Sequence, residues 1–366
     1  MIQVNKPHMQ TEKILEGLKE IFKIGWIGLG PKTKELEQKI GNYIGADVTC
    51  LNGCTGALHL AVKSLGLKEG DMVATTPITF VSTNHALLYE RLTPVFYDVE
   101  RRTGNVSVDS LARMLRNHPI KAIMVVHLAG YPCDMDMVNA LARLYHIPVI
   151  EDCAHAFGSE YSNGKKVGNS PNICCFSFHA VKNLPMGDGG AITTRCEYFK
   201  KMRWMGIDLD TATRTHGMKS WKWEYNIEEV GYKYHMNDIT AVIGLAQFET
   251  IDEDNARRKE IADYYRKNLI AFCPNYTGAR GKSSYHFYPM FFEEREGVYD
   301  ALVENEIYPG MHYKRNDLYE MYKDFPKDDL AGADWYEKHE LTLPLHLGLT
   351  DGDLEKIAGV INDLFV

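Results

Sequence analysis

Between Val48 and Thr194, short runs of consecutive apolar residues alternate with longer stretches whose apolar residues recur every three or four positions. The runs Met72–Thr75, Thr93–Tyr97, Ala122–Val126, Pro148–Glu151, Cys174–Phe178 and Ala191–Thr194 read as buried strands. Ala57–Leu65, Val108–Asn117 and Met135–Tyr145, lying between them, read as helices. This alternation predicts an α/β domain around a mostly parallel sheet, in which ligands gather beyond the carboxyl ends of the strands. Ahead of it, Ile14, Leu15, Leu18, Ile21 and Phe22 mark one face of an amphipathic helix within Met1–Trp26.

After Met236 the pattern changes. A long helical stretch runs to about Leu269 with an expected break near Asp252–Asp254. A strand-like Tyr285–Phe292, a helix near Val298–Glu306 and a terminal amphipathic helix from Asp351 come after it. The chain therefore divides into an N-terminal helix plus large α/β domain over residues 1–245 and a smaller α+β domain over 246–366, in line with a length of 366 residues. The stretch Asp208–Glu229 is irregular, mixing Arg214, Lys219 and Lys222 with Trp221, Trp223 and Tyr225, and suits a binding loop.

A formal net charge of -8 removes the basic field that nucleic acid would need as a main partner. No apolar run is long enough for a membrane span, and Met1–Trp26 lacks the apolar core and cleavage site of a signal peptide. The eight cysteines form no C-x-x-C pairs, and several sit inside apolar runs as small buried hydrophobes. A reduced, cytoplasmic protein without a bound metal is the expectation. No G-x-G-x-x-G follows a strand, and neither a Walker lysine nor H-E-x-x-H is present, so nicotinamide, ATP and zinc chemistry lose their support.

Three segments carry candidate chemistry. In Leu51-Asn52-Gly53-Cys54-Thr55-Gly56-Ala57, a turn of small residues opens a helix with Thr55 as expected N-cap. That is either an ordinary capped helix or a phosphate site built from helix-terminal N–H groups. In Ile150-Glu151-Asp152-Cys153-Ala154-His155, an acidic pair ends a strand. Capping of the next helix is the plainer reading, and a carboxylate poised beside a protonated ring nitrogen is the functional one. In Ser177-Phe178-His179-Ala180-Val181-Lys182-Asn183, a lysine comes after a buried strand and precedes the turn Gly187-Asp188-Gly189-Gly190. Most lone lysines are solvated. Apolar flanks and a tight turn argue for a buried amine here, with a lowered pKa suited to Schiff-base chemistry.

At these segments the chain resembles the sugar-nucleotide aminotransferases of the DegT/DnrJ/StrS type, within the aspartate-aminotransferase (type I) fold of pyridoxal-phosphate (PLP) enzymes. The resemblance runs from Gly25-Trp26-Ile27-Gly28-Leu29-Gly30-Pro31 through Gly231-Tyr232-Lys233-Tyr234-His235 and Gly310-Met311-His312-Tyr313 to Leu343-Pro344-Leu345-His346. It implies that Lys182 holds PLP as a Schiff base and then moves the substrate proton. It implies that Asp152 keeps the pyridine nitrogen protonated and that His155 contacts the ring hydroxyl. Phe80 would stack on the ring, although a strand aromatic is more often plain core. Thr55, Gly56 and Ser177 would hold the phosphate, with Arg214, His312 and Tyr313 bordering the substrate.

Two positions depart from the family pattern. Lys233 stands where an asparagine usually reaches the phosphate of the neighbouring subunit's cofactor, and Gly28-Leu29 replaces a threonine pair near the substrate. The resemblance implies a homodimer with shared sites. It also implies ping-pong transfer from L-glutamate to a keto sugar, expected to be a nucleotide-linked keto-deoxyhexose, in amino-sugar or surface-polysaccharide biosynthesis. The acceptor could instead be a small phosphorylated ketone or a keto-inositol. A PLP-dependent sugar dehydratase would carry histidine in place of Lys182, and a non-catalytic PLP-binding regulator would not need Asp152, His155 and Lys182 together.

Overall fold

The structure is a computed structural model that describes residues 1–193, 197–207, 225–269 and 281–365. In chain order its strands are β1 (Ile2–Gln3), β2 (Val48–Leu51), β3 (Met72–Thr75), β4 (Thr93–Phe96), β5 (Ile120–Val126), β6 (Val149–Asp152), β7 (Glu160–Tyr161), β8 (Ile173–Ser177), β9 (Gly190–Thr193), β10 (Gly281–Lys282), β11 (Tyr288–Phe291), β12 (Ile307–Tyr308) and β13 (Glu340–Leu343). The helices of the first half are α1 (Thr11–Ile24), α2 (Pro31–Ile44), α3 (Cys54–Ser64), α4 (Ser82–Tyr89), α5 (Val108–Asn117), α6 (Met135–Tyr145) and α7 (Tyr198–Met202). The remaining described helices are α8 (Asp238–Phe248), α9 (Ile251–Asn268), α10 (Arg295–Glu304), α11 (Ala331–His339) and α12 (Asp351–Asn362).

Seven strands form the central sheet in the order β2-β9-β8-β6-β5-β3-β4. The pairings β4–β3, β3–β5, β5–β6 and β6–β8 are parallel, and β9 runs antiparallel to both β8 and β2. The mostly parallel sheet expected from the apolar runs is therefore present. Helices cover both faces, so the inner strands are apolar on both sides, and β5 and β6 bury nearly every residue. That is why they appear as continuous runs rather than alternating ones. α5 illustrates the helical pattern: Ser107 caps it by accepting from Ser110 N, and Leu111, Met114 and Leu115 supply one buried stripe.

A second apolar core gathers Ile261, Tyr265, Tyr288, Met290, Leu302, Leu341, Leu343, Leu354 and Ile361 around the β11–β13 pair. The first residues of the chain belong to it, because β1 pairs in parallel with β12 and Ile2 packs into this core. The break in the long helical stretch falls at Glu249–Thr250, not at Asp252–Asp254. Asp252, Glu253 and Asp254 instead occupy the first turn of α9, where negative charge offsets the helix dipole. The helix α2 carries few apolar residues and is fastened from afar. Asp238 accepts from Gly30 N, Lys32 N, Thr33 N and Thr33 Oγ1 at 2.8–3.1 Å, closing the amino end of α2 from the start of α8.

Candidate active site

Two strand ends and one turn build the site. β6 delivers Asp152 at its carboxyl end, and the buried His155 comes three residues later. β8 ends at Ser177, beyond which the chain doubles back in a hairpin tied by Phe178 N to Gly189 O and Ala180 N to Gly187 O, both at 2.8 Å. Lys182 sits at the tip of that hairpin. Gly187 takes the turn with φ of 84°, a region that favours glycine. Gly190 lets β9 approach the turn before α3: a methyl group there would lie 2.5 Å from Gly53 C and 2.6 Å from Cys54 N. The glycine-rich turn thus brings the lysine hairpin against the amino end of α3.

Lys182 is half-buried as a residue, and its amine is closely surrounded. Burial pushes it down to about 8, against the opposing pull of Cys54 and Asp152. Nζ lies 3.5 Å from His286 Nε2. Asp152 is buried, accepting from Thr83 Oγ1 at 2.8 Å and from Ala154 N at 3.0 Å. Burial nevertheless pushes its carboxyl up, with Thr83, Ala154 and Lys182 only partly opposing. His155 stacks on His286 with centroids 4.6 Å apart, and its Nε2 is 3.1 Å from the Tyr313 hydroxyl. Its Nδ1 is buried with no hydrogen-bond partner among the described residues. Burial, aided by the charge of Lys182, keeps His155 well below its ordinary value and hence neutral.

Two expectations of local structure need correction, those for Thr55 and Phe80. Thr55 does not cap α3. Gly53 holds the N-cap position, no side chain caps it, and Thr55 is the second residue of the helix. The first N–H satisfied along the helix is that of Ala57, to Gly53 O, so the amides of Cys54, Thr55 and Gly56 have no helical acceptor. Phe80 is neither in a strand nor in the core. It is 59% exposed just before α4, with its ring 6.3 Å from that of Tyr313. His312 has its Nδ1 2.8 Å from Thr342 Oγ1 and its ring stacked on Phe287, within the field of the Lys182 charge. Lys233 is exposed, with Nζ 3.3 Å from the centroid of the Trp204 ring. Arg214 lies outside the described residues.

Three residues that the sequence did not single out complete the cluster: Thr83, Asn183 and His286. The clue to His286 is a histidine flanked by aromatics in a strand-like run; it sits buried just ahead of β11.

These residues fit PLP. Asp152, a carboxylate pushed up by burial, forms no ion pair among the described residues, and a protonated ring nitrogen would supply one. The orphaned Nδ1 of His155 and the unsatisfied amides at the start of α3 offer hydrogen bonds to ring and phosphate oxygens. A mostly parallel α/β sheet with such a lysine between a carboxylate and a helix amino end defines a PLP-dependent aminotransferase. The chain belongs to the DegT/DnrJ/EryC1/StrS aminotransferase family, whose model matches residues 8–362. It is similar to the spore coat polysaccharide biosynthesis protein SpsC of Bacillus subtilis, 30% identical over 98% of this chain and 95% of SpsC. Among solved structures it is similar to the aminotransferase TlmJ from Streptoalloteichus hindustanus, at a TM-score of 0.90 and 30% identity over the whole of both chains. It is equally similar in fold to Spr1654 from Streptococcus pneumoniae in its PMP-form, a sugar aminotransferase by name, at a TM-score of 0.90 and 28% identity over the whole of both chains. No helix among the described residues is long and apolar enough to cross a membrane.

Proposed function

We propose that this enzyme moves the amino group of L-glutamate to a nucleotide-linked keto sugar, with Lys182 as the reacting amine. The observation that carries the reading is the Lys182 amine itself, brought by burial to about 8 beside Asp152 and His286. An amine in that range exchanges protons near neutral pH, which proton shuttling requires.

PLP, when bound, supplies an aldehyde that accepts an amino group and a ring that withdraws electrons from the carbon attached to it. Lys182 would hold the cofactor through its amine, and the same amine, when free, would take up and return the substrate proton. Asp152, steadied by Thr83 and the Ala154 N–H, would keep the ring nitrogen protonated. His155 would donate through Nδ1 to a ring oxygen. The amides of Cys54, Thr55 and Gly56, with the Thr55 and Ser177 hydroxyls, would bind the phosphate, and Phe80 would pack against the ring. Tyr313 holds His155 and, with His312, would border the acceptor. The enzyme works as a cytoplasmic homodimer in which Lys233 reaches the partner's phosphate as a point charge.

The test is a two-stage assay. Glutamate alone should convert the bound cofactor to its amine form and release one 2-oxoglutarate per site. Nucleotide-linked keto sugars, offered as a panel beside phosphorylated ketones and keto-inositols, should then restore the aldehyde form. Restoration only by a phosphorylated ketone or keto-inositol would reject the nucleotide-sugar reading. A cofactor left unchanged by glutamate would reject the donor.

A further inference from the structure

We propose that His286 is the hydrogen-bond acceptor that positions the Lys182 amine, and that Asn183 fixes His286 in the one tautomer able to do so. This rests on the reading of Lys182 as the reacting amine and adds a residue to that machinery.

Asn183 has a side-chain orientation determined by its partners. Its Nδ2 lies 2.8 Å from the carbonyl oxygen of Ser284, which can only accept, and 2.7 Å from Asn255 Oδ1. Both contacts require the amide NH₂ at that position. Oδ1 therefore faces His286 Nδ1 at 3.2 Å as an acceptor, and Nδ1 must carry the hydrogen. In the neutral ring the other nitrogen, Nε2, then has a bare lone pair, and it points at Lys182 Nζ from 3.5 Å. That separation is at the long end for a hydrogen bond, and a small rotation of the lysine side chain would shorten it.

The surroundings keep the ring in this state. His286 is 2% exposed, and burial together with the charges of Lys182 and Arg258 holds it well below its ordinary value. A second proton on the ring would sit in a field that is already positive. The stack on His155 fixes the ring plane. The remaining groups that bear on Lys182 are Cys54 from the start of α3, Asp152 from the end of β6, and His155 and His312, both of which burial keeps neutral. Asp152 is engaged by Thr83 and Ala154, so His286 is the nitrogen acceptor within reach of Nζ among the described residues. An acceptor at this point favours the ammonium form against burial and sets the direction from which the free amine approaches the cofactor.

Two variants separate acceptor from packing. His286→Phe keeps a ring against His155 and loses the acceptor. His286→Gln loses the ring and offers Oε1 near the position of Nε2. The full-length protein is freed of cofactor, shown to reload with PLP, and exposed to trace acetic anhydride across a pH series. Acetylation of the Lys182 peptide is followed by mass spectrometry. Wild type should show a midpoint near about 8. His286→Phe should lower it by about one pH unit, a tenfold change in the ammonium-to-amine ratio, and His286→Gln should leave it within a few tenths. An unmoved midpoint in His286→Phe, or an equal shift in both variants, would overturn the proposal. Imidazole ¹⁵N shifts of the wild-type ring give a measurement that needs no variant to fold: hydrogen on Nδ1 is expected, and hydrogen on Nε2 would overturn the proposal as well. Labelling is read on Lys182 whether or not PLP attaches there, so a failure of the functional reading remains distinct from a failure of this one.

Discussion

His127 Nε2 donates to Glu151 Oε2 at 2.8 Å, and both side chains are shut off from solvent. Glu151 also accepts from Tyr161 at 2.7 Å, from Ser170 at 2.6 Å and from Asn172 at 2.7 Å. The neighbouring charge alone would favour an imidazolium, but the Cys133 N–H lies 3.0 Å from His127 Nδ1 and needs its lone pair. The ring is therefore neutral and the carboxylate is held by four neutral donors. Successive strand residues face opposite ways, so this network grips one side of β6 at the point where Asp152 emerges on the other.

Glu151→Gln should therefore destabilise the fold by about 2–3 kcal/mol, since an amide presents a donor to groups that must donate. Burial alone would push the Glu151 carboxyl up, but the donors, His127 foremost, hold it below the ordinary range. The stability it contributes is present above the ordinary carboxylate range and is lost as pH falls through its lowered value. Urea unfolding at several pH values should show a gap between wild type and variant that is full near neutrality and narrows in acid. A gap that widened in acid would mean that Glu151 is buried protonated.

Asp152→Asn should separate stability from turnover. Burial disfavours this carboxylate, so the cofactor-free variant should melt no lower than wild type. Turnover should fall on the order of 100-fold or more, because the charge opposite the ring nitrogen is lost. Melting curves and steady-state rates decide it, and a stable variant with wild-type turnover would reduce Asp152 to a structural role.

Gly190→Ala tests the close approach of β9 to the α3 turn. Its methyl group would press on backbone atoms of Gly53 and Cys54, which cannot rotate aside. The start of α3 should shift, and PLP affinity, followed by absorbance titration, should weaken roughly tenfold, a change of about 1.4 kcal/mol. Unchanged affinity would place the phosphate elsewhere.

Subunit complementation tests the shared site. Lys182→Ala protein is mixed with a Lys233 variant shown to be inactive by itself, and the subunits are allowed to exchange. If Lys233 serves the partner's site, each mixed dimer gathers both lesions in one site and frees the other, restoring about a quarter of all sites. No recovery after verified exchange would mean that each subunit supplies its own Lys233.

What could be read from the chain alone was local. The Asp152 and Lys182 segments stand out because a strand, its end and the next turn lie within a few residues of one another. The parallel sheet was legible because strands buried on both faces make unbroken apolar runs. The missed features depend on distant pairings: Thr83 meets Asp152 across 69 residues, and His286 meets Lys182 across 104. The amino end of α2 is closed by Asp238, 205 residues beyond Thr33. Glu151 looked like half of an acidic cap, because neither its face of β6 nor His127 opposite could be inferred from spacing.

The most direct test of the central claim is to reduce the PLP-loaded protein with borohydride, digest it and locate the modified residue by mass spectrometry. Lys182 should carry the phosphopyridoxyl group, and Lys182→Ala should bind PLP without being labelled at any site. A label on a different lysine in the wild-type protein, with Lys182 unmodified, would contradict the assignment of Lys182 as the amine on which the reaction turns.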